Sequence, residues 1–275
     1  MQPKVTVLIA THNRVQFVSR AIESVLTQTF KDWELIVADD GSTDETEKVV
    51  LGLAEKDSRI KYLKGPHFGR IAKISNFGLK EATGEYIAIL DDDDYWIDPQ
   101  KLAKQVRFLD ENKDYVGCGG GFVVADKNGE EKIKSFKPEK DEDIKKNALV
   151  ANPIVNATSV FRFALAKKIG LYDESMLQFA DWEFWLKIGL KGKLYNFQEY
   201  FTKYQMWEGG MSFSRQKEAA SSAIRIVDRY RKLYPRYPKA LLFVCSYYLY
   251  TQLPDAIKKT LNPVLSRIKK VVFSS

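Results

Sequence analysis

Four consecutive carboxylates, Asp91 to Asp94, are the residues of this chain whose spacing most directly suggests chemistry. They follow the apolar run from Tyr86 to Leu90, which predicts a strand buried on both faces of a sheet. Adjacent carboxylates repel one another, and a hard divalent cation among them relieves that cost. In open α/β sheets, ligands bind beyond the carboxyl ends of the strands. We therefore expect a metal and a phosphorylated ligand here, the alternative being a solvated acidic turn.

Two other polar loops follow predicted buried strands and should reach the same edge of the sheet. The apolar run from Val5 to Ala10 leads into a polar loop at residues 11–14, and the run from Trp33 to Ala38 leads into Asp39 and Asp40. Apolar residues at helical spacing separate the strands. This alternation predicts a parallel, doubly wound α/β sheet whose polar loops lie side by side.

The alternation changes after Pro99. Residues 115–136 predict a hairpin, because Asp126 to Gly129 is a strong turn signal between two strand-like runs. The segment 240–273 is first apolar and then both basic and apolar. That composition suits a helix lying on an anionic membrane, while packing on the domain or dimerisation remain open.

The composition limits the class of partner. The 275 residues carry a formal net charge of +7 and a pI near 9.1, which suggests an anionic partner. The basic residues are not interleaved with aromatic ones on a recognisable module, so we expect no nucleic-acid binding. Cys118 and Cys245 are too far apart to indicate a disulfide scaffold or a thiolate metal site. We expect neither a signal peptide nor a membrane span, and hence a cytoplasmic protein. If its C-terminal segment binds membrane, the protein would lie at the inner face of the plasma membrane.

The chain resembles the family 2 glycosyltransferases, which have a GT-A fold, from about Lys4 to about Gln205. Four signatures in the family's order carry the resemblance: Val5–Asn13, Val37–Asp44, Gly84–Asp94, and Gly170–Glu174 followed by Asp181–Trp185. The resemblance implies an α/β protein with a GT-A domain over residues 1–214. Within it, residues 1–98 would form the nucleotide-sugar-binding half and residues 99–214 the acceptor-binding half, before a helical C-terminal extension over 215–275.

The resemblance also implies the reaction. Family members transfer sugars from nucleoside-diphosphate donors, here with UDP-sugars favoured, and a divalent metal such as Mg or Mn assists. The resemblance also implies inversion at the anomeric carbon. Because the Gln-x-x-Arg-Trp element of the processive synthases is missing, we expect transfer of a single sugar. The expected acceptor is a glycan or a lipid-linked glycan of surface polysaccharide synthesis.

The family's Asp-x-Asp element falls on Asp91, Asp92 and Asp93. The resemblance implies that Asp93, helped by Asp91, holds the metal, and that Asp91 and Asp92 contact the donor nucleotide. Asp40 would hold the base, although it could instead hydrogen-bond to backbone amides of its loop.

The remaining donor-binding residues carried over are Ala10, Thr11 and His12, which would cradle the nucleoside, and Arg70 and Lys73, which would face the diphosphate. The family often has an arginine where this chain has Ser75. Which basic residue meets the diphosphate therefore stays open, as does a solvated role for both.

The resemblance makes Asp181 the catalytic base that takes the proton of the acceptor hydroxyl. The family's preceding Glu is Ala180 here, and Trp182 and Trp185 could wall an acceptor site. The alternative is that Asp181 only caps its helix.

Two other functions compete with a glycosyltransferase. A nucleotidyltransferase also combines an α/β sheet with metal-binding acids, but it would usually have a Gly-rich basic loop after the first strand, and residues 11–14 contain no Gly. A catalytically dead, membrane-associated scaffold is the other, and the intact acids argue against it.

Overall fold

The structure is a computed structural model that describes residues 2–126, 129–205, 215–254 and 257–258. The strands in these ranges are β1 Val5–Thr11, β2 Trp33–Asp39, β3 Ile60–Lys64, β4 Tyr86–Ile89, β5 Tyr95–Trp96, β6 Tyr115–Ala125, β7 Glu131–Ser135, β8 Val160–Arg162 and β9 Lys193–Gln205. The helices are α1 Val15–Leu26, α2 Thr46–Ala54, α3 Ile71–Lys80, α4 Lys101–Glu111, α5 Asp141–Asn147, α6 Phe163–Lys168, α7 Ala180–Gly189, α8 Gln216–Tyr230 and α9 Tyr237–Gln252, and a 3₁₀ turn spans Asn156–Thr158.

The strands form one nine-stranded sheet in the order β3-β2-β1-β4-β8-β6-β9-β5, with β7 paired to β6. The strands β3, β2, β1 and β4 are parallel, as the alternation of strands and helices predicts. Because parallel strands end at the same edge, the loops after β1, β2 and β4 meet there.

Helices cover both faces of the sheet. On one face, Val5 and Val7 of β1 pack in the same core as Ile22 of α1, whereas Leu8 points to the other face and packs with Ile74 of α3. This division follows from the two-residue period of a strand. The helix α3 lies so close to the sheet that a Cβ on Gly78 would come within 2.5 Å of the Leu8 side chain.

The second half of the sheet is mixed. The predicted hairpin is present as the antiparallel pair β6 and β7. The long strand β9 was not predicted; it runs parallel to β6 and antiparallel to the two-residue strand β5. The acid loop at residues 91–94 therefore runs from β4 in the first half to β5, which belongs to the second half.

The helices after residue 215 pack against the domain. Ala223, Ile226 and Tyr230 of α8 and Val244 of α9 are buried in the same core as Phe184 of α7. Within the described ranges, none of the helices combines the length and the apolar character needed to cross a bilayer.

Candidate active site

The acid loop lies at the cleft edge of the sheet. Asp94 is almost fully buried, and its Oδ2 has no hydrogen-bond partner, whereas Asp91, Asp92 and Asp93 are partly exposed. Burial, followed by the charges of Asp93 and Asp181, raises the pKa of Asp91 to about 8. Burial and the charge of Asp93 likewise raise the pKa of Asp92 to about 7. Crowding and burial thus disfavour the ionised forms of these carboxylates, and a bound cation would favour them again.

Two arginines that the sequence reading did not assign face this loop. The Nε of Arg14 lies 3.8 Å from Oδ1 of Asp92. The Nη2 of Arg20 donates a hydrogen bond to the backbone carbonyl of Asp93 at 3.3 Å, and its guanidinium lies 4.4 Å from the ring centre of Tyr95. Both residues come from the start of the chain, so only the fold brings them to the acids.

A divalent metal of the Mg or Mn type fits this donor set. In the part of the chain that the structure describes, no three His, Cys, Asp or Glu side chains are grouped to enclose a metal by themselves. Mg²⁺ is, however, usually bound by one or two carboxylates together with substrate phosphates and water. The partly exposed oxygens of Asp91 and Asp93, beside the unpaired Oδ2 of Asp94, match that pattern.

Asp40 is fixed beside the loop at residues 67–69. Its carboxylate is buried and accepts hydrogen bonds from the backbone N–H groups of Phe68 at 2.5 Å and Gly69 at 2.8 Å. His67 stands at the same place with its ring centre 4.7 Å from that of His12. The structure thus brings Asp40 and His12 together and adds His67, which the sequence reading missed.

The ends of β1 and β2 are tied together by side chains. The amide oxygen of Asn13 accepts a hydrogen bond from the backbone N–H of Thr43 at 2.8 Å, and Asn13 N–H donates to Ser42 Oγ at 2.8 Å. The predicted nucleoside cradle, Ala10 and Thr11, lies at the end of β1, and Thr11 is buried.

The two predicted diphosphate-facing cations differ in their surroundings. Arg70 precedes α3 and donates a hydrogen bond to the carbonyl of Glu174 at 3.2 Å. Lys73 is partly exposed on α3 and makes no ion pair with any described residue. Asn76 of the same helix is buried and fastens the turn at 170–174, with its amide nitrogen donating to the carbonyl of Tyr172 at 2.9 Å.

Asp181 lies in the first turn of α7 and is partly exposed. The residue that caps the helix is Phe179, in the left-handed region at φ 59°, so Asp181 is inside the helix. Burial raises the pKa of Asp181, while the backbone N–H of Trp182, the amide of Asn152 and the ammonium of Lys137 oppose that rise. The charge of Asp181 in turn raises the pKa of Asp91, so Asp181 lies near the acid loop.

Trp182 and Trp185 lie in the core. Trp182 is 6% exposed, and its indole N–H donates to the carbonyl of Ala148 at 2.7 Å. Trp185 has no exposed surface and packs edge-on against Phe161 and Phe184. Both rings are therefore buried and leave little surface for an acceptor.

The chain belongs to the family 2 glycosyltransferases, since the sequence model described as "Glycosyl transferase family 2" matches residues 6–170. It is 32% identical over 223 residues to the uncharacterized glycosyltransferase MJ1057 of Methanocaldococcus jannaschii, covering 79% of this chain and 76% of that protein. Over 122 residues it is 36% identical to the Escherichia coli UDP-Glc:alpha-D-GlcNAc-diphosphoundecaprenol beta-1,3-glucosyltransferase WfaP, covering 44% of this chain and 47% of that protein.

Solved structures confirm the predicted GT-A fold. S. aureus TarS 1-349 in complex with UDP-GlcNAc superposes with a TM-score of 0.67 at 20% identity, covering 90% of this chain and 72% of that one. This chain spans 43% of the longer TarS chain. The mannosyltransferase PcManGT from Pyrobaculum calidifontis, in complex with GDP-Man and Mn2+, gives 0.64 at 17% identity, covering 97% of this chain and 81% of that one. The family match and the similarity to MJ1057, together with this fold, show that the protein is a glycosyltransferase.

Proposed function

We propose that this glycosyltransferase moves one sugar, with inversion and with the help of a divalent metal, from a nucleoside-diphosphate sugar to a glycan or lipid-linked acceptor. The observation that carries the proposal is that Asp181 lies near enough to Asp91 for its charge to raise the pKa of Asp91. Inverting transfer needs a base on one side of the sugar and a charge-stabilising site for the leaving diphosphate on the other.

UDP-sugars are the favoured donors. WfaP, whose name gives a UDP-Glc donor and a diphosphoundecaprenol-linked acceptor, and TarS, which binds UDP-GlcNAc, support this choice. In this chain Asp40, His12 and the end of β1 would hold the nucleoside. Lys73, with no ion pair among the described residues, is the better placed of the two predicted cations to meet the diphosphate.

Asp93 and Asp91 would hold the metal. A bound divalent metal stabilises the negative charge that develops on the leaving diphosphate. Asp92, which lies beside Arg14, would meet the donor ribose and the metal-bound waters. Asp181 would accept the proton of the acceptor hydroxyl as that oxygen attacks the anomeric carbon.

The Asp181→Asn variant tests the proposal. Asn keeps the size and an accepting oxygen but cannot take a proton at neutral pH, so transfer should fall by roughly a hundredfold or more. Asp181 does not cap α7, so the melting temperature and donor binding should stay close to those of the native protein. Transfer would be measured with UDP-sugars and lipid-linked glycans, and near-native transfer by the folded variant would refute the base.

We further propose that the protein works at an anionic membrane surface. Leu242 and Leu249 of α9 are 68% and 66% exposed, and the basic and apolar residues at 259–273 lie outside the described part of the chain. An apolar helix face followed by basic residues suits binding to anionic lipid, and it would bring the cleft to a lipid-linked acceptor.

A further inference from the structure

The segment at residues 148–159, which joins α5 to β8, is held in place by side chains from three other elements. The amide nitrogen of Asn196 on β9 donates to the carbonyl of Pro153 at 3.1 Å. The indole N–H of Trp96 donates to the carbonyl of Ala157 at 2.8 Å, and the amide of Gln105 donates to the carbonyl of Thr158 at 2.9 Å. A loop fixed at three carbonyls can position a side chain as firmly as a helix does.

Asn196 also fixes the loop that carries Lys137. It is fully buried, and the same amide nitrogen donates to the carbonyl of Pro138 at 2.9 Å. The two segments that face Asp181 therefore share one anchor on β9. The sequence reading missed this arrangement because these positions are far apart along the chain.

Asn152 is the side chain that this segment presents to Asp181. Its Nδ2 donates to Oδ2 of Asp181 at 2.6 Å, and its Oδ1 accepts from the backbone N–H of Ile154 at 3.4 Å. These two contacts fix which end of the amide is which, because a flipped amide would put oxygen against carboxylate. The amide thus offers a donor to the acid and keeps its oxygen on the loop.

We propose that Asn152 is a positioning residue for sugar transfer: by holding Oδ2 of Asp181 it aims the carboxylate at the acceptor hydroxyl. The inference rests on the proposed role of Asp181 as the base. The terminal torsion of an aspartate is broad, so a fixed donor is needed to aim the carboxylate. A donor to the charged form also favours ionisation.

Other groups around Asp181 set its charge state as well. The ammonium of Lys137 and the backbone N–H of Trp182 favour the ionised form. Asp91 from the acid loop opposes it, and the hydroxyls of Tyr172 and Tyr204 lie near enough for Asp181 to raise their pKa. Asn152 is the side chain that makes a described hydrogen bond to the Asp181 carboxylate, so it is the residue to change.

The Asn152→Asp variant separates positioning from a purely structural role. Asp has the same shape and keeps the oxygen that Ile154 N–H needs, but it replaces the donor by a second carboxylate. Two carboxylates in contact share a proton, so the acidic limb of the kcat–pH profile should move up by about one unit or more. At a pH on that acidic limb kcat should fall by about tenfold, while donor KM stays within about twofold. Asn152→Ser, which removes the amide and adds no charge, should move the limb in the same direction by less.

The matched control is Asn112→Asp. Asn112 ends α4 and its amide donates to the carbonyl of Phe108, far along the sheet from the cleft. That variant should lower the melting temperature modestly and keep the native pH profile. If Asp181→Asn is inactive, two results would overturn the inference. One is a native pH profile in both Asn152 variants, and the other is a loss of kcat that is equal at every pH. An active Asp181→Asn refutes the base itself, and the two failures are thereby distinguished.

Discussion

At the scale of single residues, crowded negative charge is the main feature of the cleft. The carboxylates of Asp91 and Asp92 each sit at a raised pKa because burial and the charge of Asp93 disfavour their ionised forms. Arg14 and Arg20 offset part of this charge. The rest fits a divalent metal that arrives with the donor diphosphate.

The first prediction concerns that metal. Removing it with a chelator should abolish donor turnover, because the leaving diphosphate then loses its charge stabilisation. Asp93→Asn should lose turnover and also lose the metal-dependent part of UDP binding, measured by calorimetry with and without Mn²⁺. Glu55→Gln, on the outer surface of the molecule just after α2, is the control. Full turnover in excess chelator would contradict metal dependence.

Lys101 is a second unusual residue, and it lies outside the cleft. It is fully buried at the start of α4, where its ammonium donates to Oε1 of Gln105 at 2.8 Å and lies 4.0 Å from the ring centre of Trp96. Burial lowers its pKa from 10.5 to about 7. Below pH 7 the folded protein therefore bears the full cost of a buried charge.

The second prediction follows from the sign of that shift. Between pH 7 and 10 the unfolded chain keeps a proton that folded Lys101 has lost, so this residue makes stability rise with pH. The free energy of unfolding of Lys101→Met minus that of the native protein should fall across this window, by about 1.4 kcal/mol per pH unit at most. Urea titrations at several pH values measure it.

Lys104→Met on the same helix is the control for Lys101. Hydrogen bonds to Asp98 and Glu199 raise the pKa of Lys104, so Lys104 keeps its proton from pH 7 to 9. The free energy of unfolding of Lys104→Met minus that of the native protein should therefore stay constant over this range. A constant difference for Lys101→Met would show that its ammonium does not titrate in this range.

The residues that could be identified from the sequence are those whose role is indicated by the residues next to them in the chain. The acids at 91–94 and Asp40 follow apolar strands, and strand ends are where an α/β sheet binds ligands. Asn152 and Lys137 carry no such local signal, because each stands on a loop whose position depends on Asn196 of β9. Their partners can be seen only once the chain is folded.

At the scale of elements, buried parallel strands were predictable and β9 was not. The strands β1 and β2 are buried along nearly their whole length and are nearly continuous apolar runs, interrupted by Thr6 and Glu34. By contrast, β9 mixes aromatic residues with lysines and glutamines over 13 residues. With β9 unassigned, the two-residue β5 could not be predicted either, since it is a strand only by pairing with β9.

The helix α8 holds α7 through a buried polar cluster. The Oε1 of Glu183 accepts from Tyr230 Oη at 2.7 Å and from Nη1 of Arg229 at 3.1 Å, and Glu183 is 2% exposed. Arg229 also donates to Oδ2 of Asp173 at 2.7 Å. Glu183 is thus committed to structure although it lies two residues from Asp181.

The third prediction tests this attachment. Tyr230→Phe removes one hydrogen bond to a buried carboxylate and should lower the free energy of unfolding by about 1–3 kcal/mol. Tyr237→Phe is the matched control, because the Tyr237 hydroxyl has no hydrogen bond among the described residues, and its change should be near zero. Chemical denaturation compares the two variants. Equal stability of both would mean that the Tyr230 hydrogen bond contributes nothing measurable to the attachment of α8.

At the scale of the whole molecule, the cleft is the place where the two halves of the sheet meet. The acid loop runs from β4, which pairs with β1, to β5, which pairs with β9. Asn76 of α3 fastens the turn before α7 from the other side. The acids proposed to bind metal and the proposed base are thereby held on one framework, which fits a reaction that needs both at a fixed distance.

The fourth prediction concerns how the whole molecule meets its acceptor. If α9 lies on anionic lipid, the protein should float with vesicles rich in phosphatidylglycerol, less so at high salt, and not with phosphatidylcholine vesicles. Replacing exposed Leu242 and Leu249 together by Asp should weaken flotation by at least about tenfold. The variant lacks the two apolar side chains that would be buried in the membrane–water interface. Leu51→Asp, at a 43% exposed leucine of α2, is the control and should float like the native protein. Unchanged flotation of the double variant would remove α9 from membrane binding. A different result would make this face a dimer interface: the native protein is a dimer, the double variant is a monomer, and neither floats with vesicles.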